Sequence, residues 1–486
     1  MSLSNAGTQS QHDTTAGGAL DVTLVYPAIA AAGFGCLGRR PLSPETHLIH
    51  HGLVSLGASL RAAGHSVDLI DLRALGSWRA FRRQVRRRGS RLWGISVTSP
   101  ERDTALRCAH IVHQEHPSAR VVVGGVHPTV CPQDFDRPAV DYVIQGEGER
   151  AIVRLADALE AGDSPARVQR GELPELDELP LAARDLFDVQ AELRGGFYPA
   201  RLNLPTPMVT LIAGRGCTYN CGFCQPAERA VFGPRVRRRS VEHVMAELHH
   251  LRERYAFRSL MIHDDCLLED RDWALRFAQA YAREFGQPWF CQSRADIAAA
   301  DEDLIANLQQ AGLAVLSIGF ESGSDRVLRL TRKGTTVAQN RQAAEVCRRL
   351  GIRVFGNYML GLPTETPEEM MATARLVRDV GAAVNSVSVY APSPGSDMYE
   401  TCRRDGLLLS DGPPGYRRDR LGGKVGGVDY RAVERALVYA LALSPFQAAL
   451  HRLTAHSAVR QLAAPLRRVP IAQAGLDAAR RYLSRL

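Results

Sequence analysis

The sequence predicts an α/β chain: a doubly wound parallel sheet, then a partial (β/α)6 barrel, then a helical C-terminal tail. Two observations predict this. Short apolar runs alternate with helix-period segments between residues 21 and 150, and after a Pro-rich interruption the same alternation resumes for about six more units. A doubly wound sheet needs strands buried on both faces, and uninterrupted apolar runs such as ARVVVGG supply them.

In order, DVTLVYP reads as a strand and GLVSLGASLRAAGHSV as a helix ending at Gly64. VDLIDL and LWGISVT are strands, and DTALRCAHIVHQEHP is a helix stopped by Pro117. ARVVVGGVHP and VDYVIQGEGE are strands with glycine-rich ends. Ligands of such sheets sit at the carboxyl ends of the strands. The candidate ligand contacts are therefore Tyr26 and Pro27, Thr98 and Ser99, Gly124, Gly125 and His127, and Gly146, Glu147 and Gly148.

The domain boundaries expected are a tail over 1–20, a ligand domain over 21–160, an irregular linker over 161–205, a barrel over 206–400 and a helical region over 401–486. Barrel strands are expected at 208–214, 258–264, 288–292, 314–321, 353–361 and 385–391, with helices between them near 240–255, 270–284, 301–311, 336–350 and 366–381. The helical tail, amphipathic and Arg-rich, reads as a buttress or lid on the barrel, with membrane-surface contact as the alternative.

Of 486 residues, 45% are hydrophobic and 23% charged, a globular balance that excludes disordered and collagen-like readings. No apolar run approaches the roughly 18 residues of a membrane span, and the N-terminus lacks a signal-peptide pattern. The net charge is +8, nearly all from arginine; Lys333 and Lys424 are the only lysines. Two arginine clusters, Arg79 to Arg91 and Arg235 to Arg239, read as solvated helix faces, with anion binding as the sharper alternative. Neither carries interleaved aromatics, so nucleic acid is not expected as a partner. Ten cysteines in a long chain do not suggest a disulfide framework.

GRGCTYNCGFC carries the chemistry. Cys217, Cys221 and Cys224 lie just after the first barrel strand, spaced C-x3-C-x2-C. Thiolates are soft ligands for iron–sulfur clusters and zinc. Three of them, with no fourth Cys or His nearby, would leave one iron of a four-iron cluster open.

This loop, with Phe223 before the last cysteine, resembles the signature of the radical S-adenosylmethionine (SAM) enzymes. The likeness continues through MIHDDC, SIGFESGSD, YMLGLPTETPEE and YAPSPGSDMYE. It implies a [4Fe-4S] cluster on the three cysteines and SAM along Phe223, Arg294, Glu321, Ser322 and Gly361. Residues 21–150 are similar to the Rossmann-like cobalamin-binding domain that precedes the radical SAM barrel in one large subfamily. The familiar D-x-H-x-x-G is missing here, since the first strand is followed by YPAIAAAGFG. The lower face of the cobalt is then expected to be open or held by water or another side chain, with His127 a candidate.

The resemblance implies a cobalamin-dependent radical SAM methyltransferase. Its methyl group would pass from SAM via methylcobalamin to an unactivated carbon, or phosphorus, of a small metabolite or lipid. Oxidative cyclisation or ring rearrangement is the nearest alternative. Methylthio transfer would need a second cluster, for which Cys36, Cys108 and Cys131 are poorly spaced, and a cobalamin-binding sensor would leave the cysteine loop without a purpose. An electron donor such as flavodoxin or ferredoxin and a reducing cytoplasm are implied. No catalytic acid–base pair is legible; His263 beside Asp264 is a weak candidate base, and Cys266 and Cys291 are placed at strand ends facing SAM.

Overall fold

A computed structural model of the chain describes residues 20–28, 49–193, 201–224, 227–410, 412, 413, 415, 416 and 422–442. The expected tail over 1–20, the loop after Pro27, and the chain beyond residue 442 lie almost wholly outside these.

The first sheet has six parallel strands in the order β2-β1-β3-β4-β5-β6. They are β1 Asp21–Tyr26, β2 Ser66–Asp71, β3 Leu92–Ser96, β4 Arg120–Gly124, β5 Tyr142–Gln145 and β6 Val168–Arg170. The order reverses between β1 and β3, which opens a crevice at their carboxyl ends. Two apolar cores flank the sheet: Phe81, Trp93, Ile111 and Val123 on one face, and Leu24, Leu53, Ile144 and Ile152 on the other. Alternate residues of each strand serve opposite faces, which is why both faces of the runs are apolar.

β6 corrects the expectation of an irregular linker over 161–205. Val143 to Gln145 pair with Val168 to Arg170, so the linker first adds an edge strand. The strand is short, polar and partly exposed, and carries no period-two pattern to announce it.

The second sheet is an open half-barrel of six parallel strands, β14-β13-β12-β11-β10-β7. They are β7 Met208–Leu211, β10 Ser259–Ile262, β11 Trp289–Ser293, β12 Leu313–Glu321, β13 Arg353–Leu360 and β14 Val384–Val389, each starting within one residue of its expected place and ending within three. A two-residue antiparallel pair, β8 Gly214–Arg215 with β9 Arg237–Arg238, brackets the cysteine loop.

The expected barrel helices are present as Val241–Tyr255, Arg271–Glu284, Glu302–Gln310, Val337–Arg349 and Pro367–Val380. Ser240, Asp270, Asp301, Thr336 and Thr366 cap them, each side chain accepting a backbone N–H of the first turn. The helix Tyr430–Ala440 buries Val433, Ala436 and Leu437 in the core outside the barrel. No helix among the described residues is long and apolar enough to cross a membrane.

The barrel interior has an apolar floor. Met208, Met261, Phe290, Val315, Phe355 and Val384, one from each strand, pack with Leu202 and Leu204 as a cluster separate from the outer core. Phe290→Ala should remove about 3–5 kcal/mol of stability, the cost of an unfilled aromatic site, read as a lowered denaturant midpoint.

Candidate active site between the two sheets

The cysteine loop is pinned from two sides. Gly222 N donates to the Thr331 carbonyl at 2.8 Å, and Met398 N donates to the Gly222 carbonyl at 2.9 Å. A Cβ on Gly222 would lie 3.3 Å from Met398 Cγ, so the loop passes close to the helix that Met398 opens. The Arg294 guanidinium lies 3.8 Å from Cys221 Sγ and 3.6 Å over the Tyr219 ring, and is fixed by Asp296 and the Lys333 carbonyl. Lys333 Nζ donates to Glu321 Oε1 at 3.0 Å and stands 5.9 Å over the Phe223 ring. The structure thus brings Cys221, Phe223, Arg294 and Glu321 together. Lys333, one of two lysines in the chain, joins them; no motif in the sequence distinguishes it.

Among the described residues no three His, Cys, Asp or Glu side chains converge as ligands of a single ion would. A four-iron cluster asks for a different arrangement, one thiolate on each of three irons. Three cysteines on one glycine-containing loop, with Cys224 exposed, fit that demand. Cys108 is buried within the helix Arg102–Glu115, so it cannot join Cys131 on one loop, and Cys36 lies outside the described residues.

Gly361 ends β13 with φ +81, and its N–H donates to Glu365 Oε2 at 2.7 Å. Burial pushes the Glu365 carboxyl up to about 7, against the two backbone N–H groups it accepts. Ser322 is placed differently from the others. Its hydroxyl shares a hydrogen bond with Thr373 on the helix outside the barrel and accepts Ser324 N, so it orders the turn after β12. Cys291 corrects an expectation: it belongs to the core between strands and helices, not to the inner face. Cys266 is likewise buried.

A cavity of about 420 Å3 lies between the two sheets. Gly94, Ser96, Gly124, Gly125, Gly146, Glu147 and Gly148 line one wall, at the carboxyl ends of β3, β4 and β5. Ile212, Gly214, Arg215, His263 and Asp265 line the other, on the barrel. Glycines make backbone the surface of much of the first wall, with the Phe232 ring packed on Gly146 and Leu56 on Gly148. Gly125 and Gly146 have φ of +101 and +86, and a Cβ on Gly125 would lie 3.2 Å from the Val97 backbone. Behind them Leu53, Leu56, Ile95, Val122, Ile144 and Ile152 form an apolar slot. A backbone edge over an apolar slot fits a broad, flat cofactor such as a corrin.

Tyr26, Pro27, Thr98, Ser99 and His127 do not line this cavity. Tyr26 instead packs its ring on His50 and under Arg73. Thr98 caps the turn it begins, together with Glu101. His127 is fully buried, one ring nitrogen on Ser99 Oγ at 3.0 Å and the other on Asp134 at 3.1 Å, so both are occupied away from the cavity. The histidines that do line it are His50, His51, His243 and His263. His51 bonds Thr210 Oγ1 across the sheet-to-sheet boundary at 3.1 Å, and its ring lies 5.8 Å from that of His263. The pair His50-His51 at the start of the first helix, His51–Ala62, was the available signal.

Charge closes the boundary. Arg215, two residues before Cys217, donates to Glu147 at 2.8 Å and Glu149 at 2.7 Å, and Arg237 also donates to Glu147. Burial pushes the Glu149 carboxyl up, but Arg215 and Ser55 more than offset this and hold it below its ordinary value. Glu247 is held the same way by Arg184 and Arg239. The second arginine cluster is therefore neither a solvated helix face nor an anion site: Arg237, Arg238 and Arg239 pair internally with Glu147, Asp264 and Glu247. The first does lie on an outer helix, where Arg82 and Arg86 meet Glu115.

Two outcomes follow from these charges. Arg215→Ala should cost about 3–5 kcal/mol, because it strands a buried carboxylate, read as a lowered unfolding midpoint; Arg215→Met should cost less only if Glu149→Gln accompanies it, since Arg237 still pairs with Glu147. Burial pushes His50 and His263 down to about 4 from 6.5. The fold keeps them neutral while the unfolded chain takes up protons, so stability is full above about pH 6.5 and falls towards pH 4. His263→Gln should flatten that part of a stability–pH curve.

The comparisons with known proteins agree with this geometry. The family model described as Radical SAM superfamily matches residues 211–377, and that described as B12 binding domain matches residues 43–156. An uncharacterized methyltransferase of Pyrococcus horikoshii is 27% identical over 378 residues, 74% of this chain and 79% of that protein. The cytidylyl-2-hydroxyethylphosphonate methyltransferase of Streptomyces wedmorensis is 26% identical over 441 residues, 76% of this chain and 82% of that protein. The radical SAM methyltransferase TsrM of Kitasatospora setae, solved with cobalamin and a [4Fe-4S] cluster, superposes with a TM-score of 0.64 at 17% identity, over 88% of this chain and 90% of that one. With both domain models in sequence order on one chain, this protein belongs to the radical SAM enzymes that carry a B12-binding domain ahead of the barrel.

Proposed function

We propose that the chain is a cobalamin-dependent methyltransferase, moving a methyl group from SAM, by way of cobalamin, to an unactivated carbon or phosphorus of a small molecule. One observation carries this reading: Gly214, Arg215 and Gly216, which lead directly into Cys217, line the same cavity as the glycine-rich strand ends, with Arg215 reaching from the one to the other. When bound, the cluster with SAM supplies a carbon-centred radical and the corrinoid supplies a transferable methyl group.

The residues then have separate tasks. Cys217, Cys221 and Cys224 hold the cluster. Arg294, beside Cys221, and the Lys333–Glu321 pair orient SAM, with Phe223 and the Gly361 strand end alongside. Gly124, Gly125, Gly146 and Gly148 admit the corrin to the backbone edge, and Glu147 serves the boundary rather than the cofactor. Pro27, Thr98, Ser99 and His127 support the loops behind that edge. The closed boundary excludes water from the space between. The reaction also needs an electron donor of the flavodoxin or ferredoxin kind and a reducing cytoplasm, both part of the proposal.

The test is anaerobic reconstitution with iron, sulfide and hydroxocobalamin. About four irons and one cobalt per chain are expected, and reduction with SAM should release S-adenosylhomocysteine in step with cobalt content. Cys221→Ala should lose most of the iron and the formation of 5′-deoxyadenosine. Iron without cobalt would overturn the reading. So would cobalt without S-adenosylhomocysteine, which would leave ring closure as the function.

A further inference from the structure

The inner face of the half-barrel changes character above its floor. Side chains two residues apart on a strand share a face. From the floor residues Met208, Met261, Phe290, Val315, Phe355 and Val384, one step up each strand gives Thr210, His263, Gln292, Ser317, Asn357 and Ser386. A second step adds Ser388 on β14. The strand pairing sets these side by side: Gln292 opposite Ser317, and Asn357 opposite Ser386. Asn357 Nδ2 donates to Ser317 Oγ at 3.0 Å, which shows the two side chains on one face. His263, Gln292, Asn357, Ser386 and Ser388 are half-buried, not sealed, so this face borders open space. His263 belongs both to this row and to the wall of the cavity between the sheets.

The row is not the SAM site proposed above. It lies two to four residues below the strand ends at Arg294, Glu321 and Gly361. Its chemistry is uncharged hydrogen bonding. The cations around it are already paired: Arg294 with Asp296, Lys333 with Glu321, Arg215 with Glu147 and Glu149, and Arg184 and Arg239 with Glu247. Asp265, exposed on the cavity wall two residues past His263, opposes an anion there. A hydrocarbon would desolvate the amide oxygens of Gln292 and Asn357 and the hydroxyls of Ser386 and Ser388 with nothing to replace the lost water, and a carboxylate or phosphate would be desolvated without a counter-charge.

We infer that the methyl acceptor is an uncharged small molecule rich in hydroxyl or amide groups, bound by Gln292, Asn357, Ser386 and Ser388, with Ser317 behind them holding Asn357, and is neither a lipid nor a phosphate ester. This rests on the proposed function for the reaction but not for the choice of class. The holoenzyme is reduced with methyl-deuterated SAM and given three fractions of a bacterial metabolite extract: neutral polar, anion-exchange-retained and hexane-soluble. The neutral polar fraction should raise 5′-deoxyadenosine release above the fraction-free rate, and Asn357→Leu, checked for wild-type iron content, should need about tenfold more of it, the loss of one good hydrogen bond. Equilibrium dialysis against the oxidised holoenzyme, which needs no turnover, should retain solutes of the same fraction. Stimulation or retention by the charged or hexane-soluble fraction, or by none, would overturn the inference. Stimulation by the neutral fraction with no deuterated methyl in its products would uphold the substrate class and overturn methyl transfer instead.

Discussion

The structure depends on a buried ion-pair junction. Arg215 leaves the barrel two residues before the first cysteine and ends between Glu147 and Glu149, at the carboxyl end of β5 in the other sheet. Buried charges of this kind add little net stability compared with apolar packing, but they are costly to separate. Such a junction penalises any other way of docking the two sheets, because every alternative would strand carboxylates that burial already disfavours. Its effect is geometric: it fixes how far the cysteine loop stands from the glycine-rich strand ends.

Several features share that constraint. Arg184 comes from the stretch between the sheets and reaches both Glu247 and the Thr210 carbonyl, so the connecting segment is fastened to the first barrel strand. His51 reaches Thr210 from the opposite side. Leu176, Leu179, Pro180 and Leu181 of the same connecting stretch help to line the cavity. The segment between the sheets is a wall of the site as well as a link.

The half-barrel is graded along its axis. Apolar side chains fill its floor, neutral polar ones its middle, and charged and cysteine groups its strand ends. A floor of six interlocking side chains gives the upper strands a rigid base. Buried charged groups at the strand ends have a partner of their own, a cation for Glu321 in Lys333 and two backbone N–H groups for Glu365. Glu321 sits at φ +62, at the pairing irregularity between β12 and β13, which turns its side chain towards Lys333. The bend is local, and no sequence pattern marks it.

The sequence by itself determined the two sheets, the strands of the barrel, the helix caps and the cysteine loop. These are local: alternation, apolar runs, capping residues and a C-x3-C-x2-C spacing all act within a few residues. The tertiary structure decided which strand-end residues face one another. His127 looked like a ligand contact because it follows two glycines at a strand end, yet the helical turn Val126–Val130 carries it into contact with Ser99 and Asp134. Glu147 looked like a cofactor contact and is tied to two arginines some seventy to ninety residues away in the chain. His50 and His51 enter the cavity only because a second sheet is set against the first. The physical reason is range. Hydrogen-bonding and hydrophobic periodicity report on neighbours in sequence, whereas pairing of buried charge reports on neighbours in space, and no spacing in the chain encodes it.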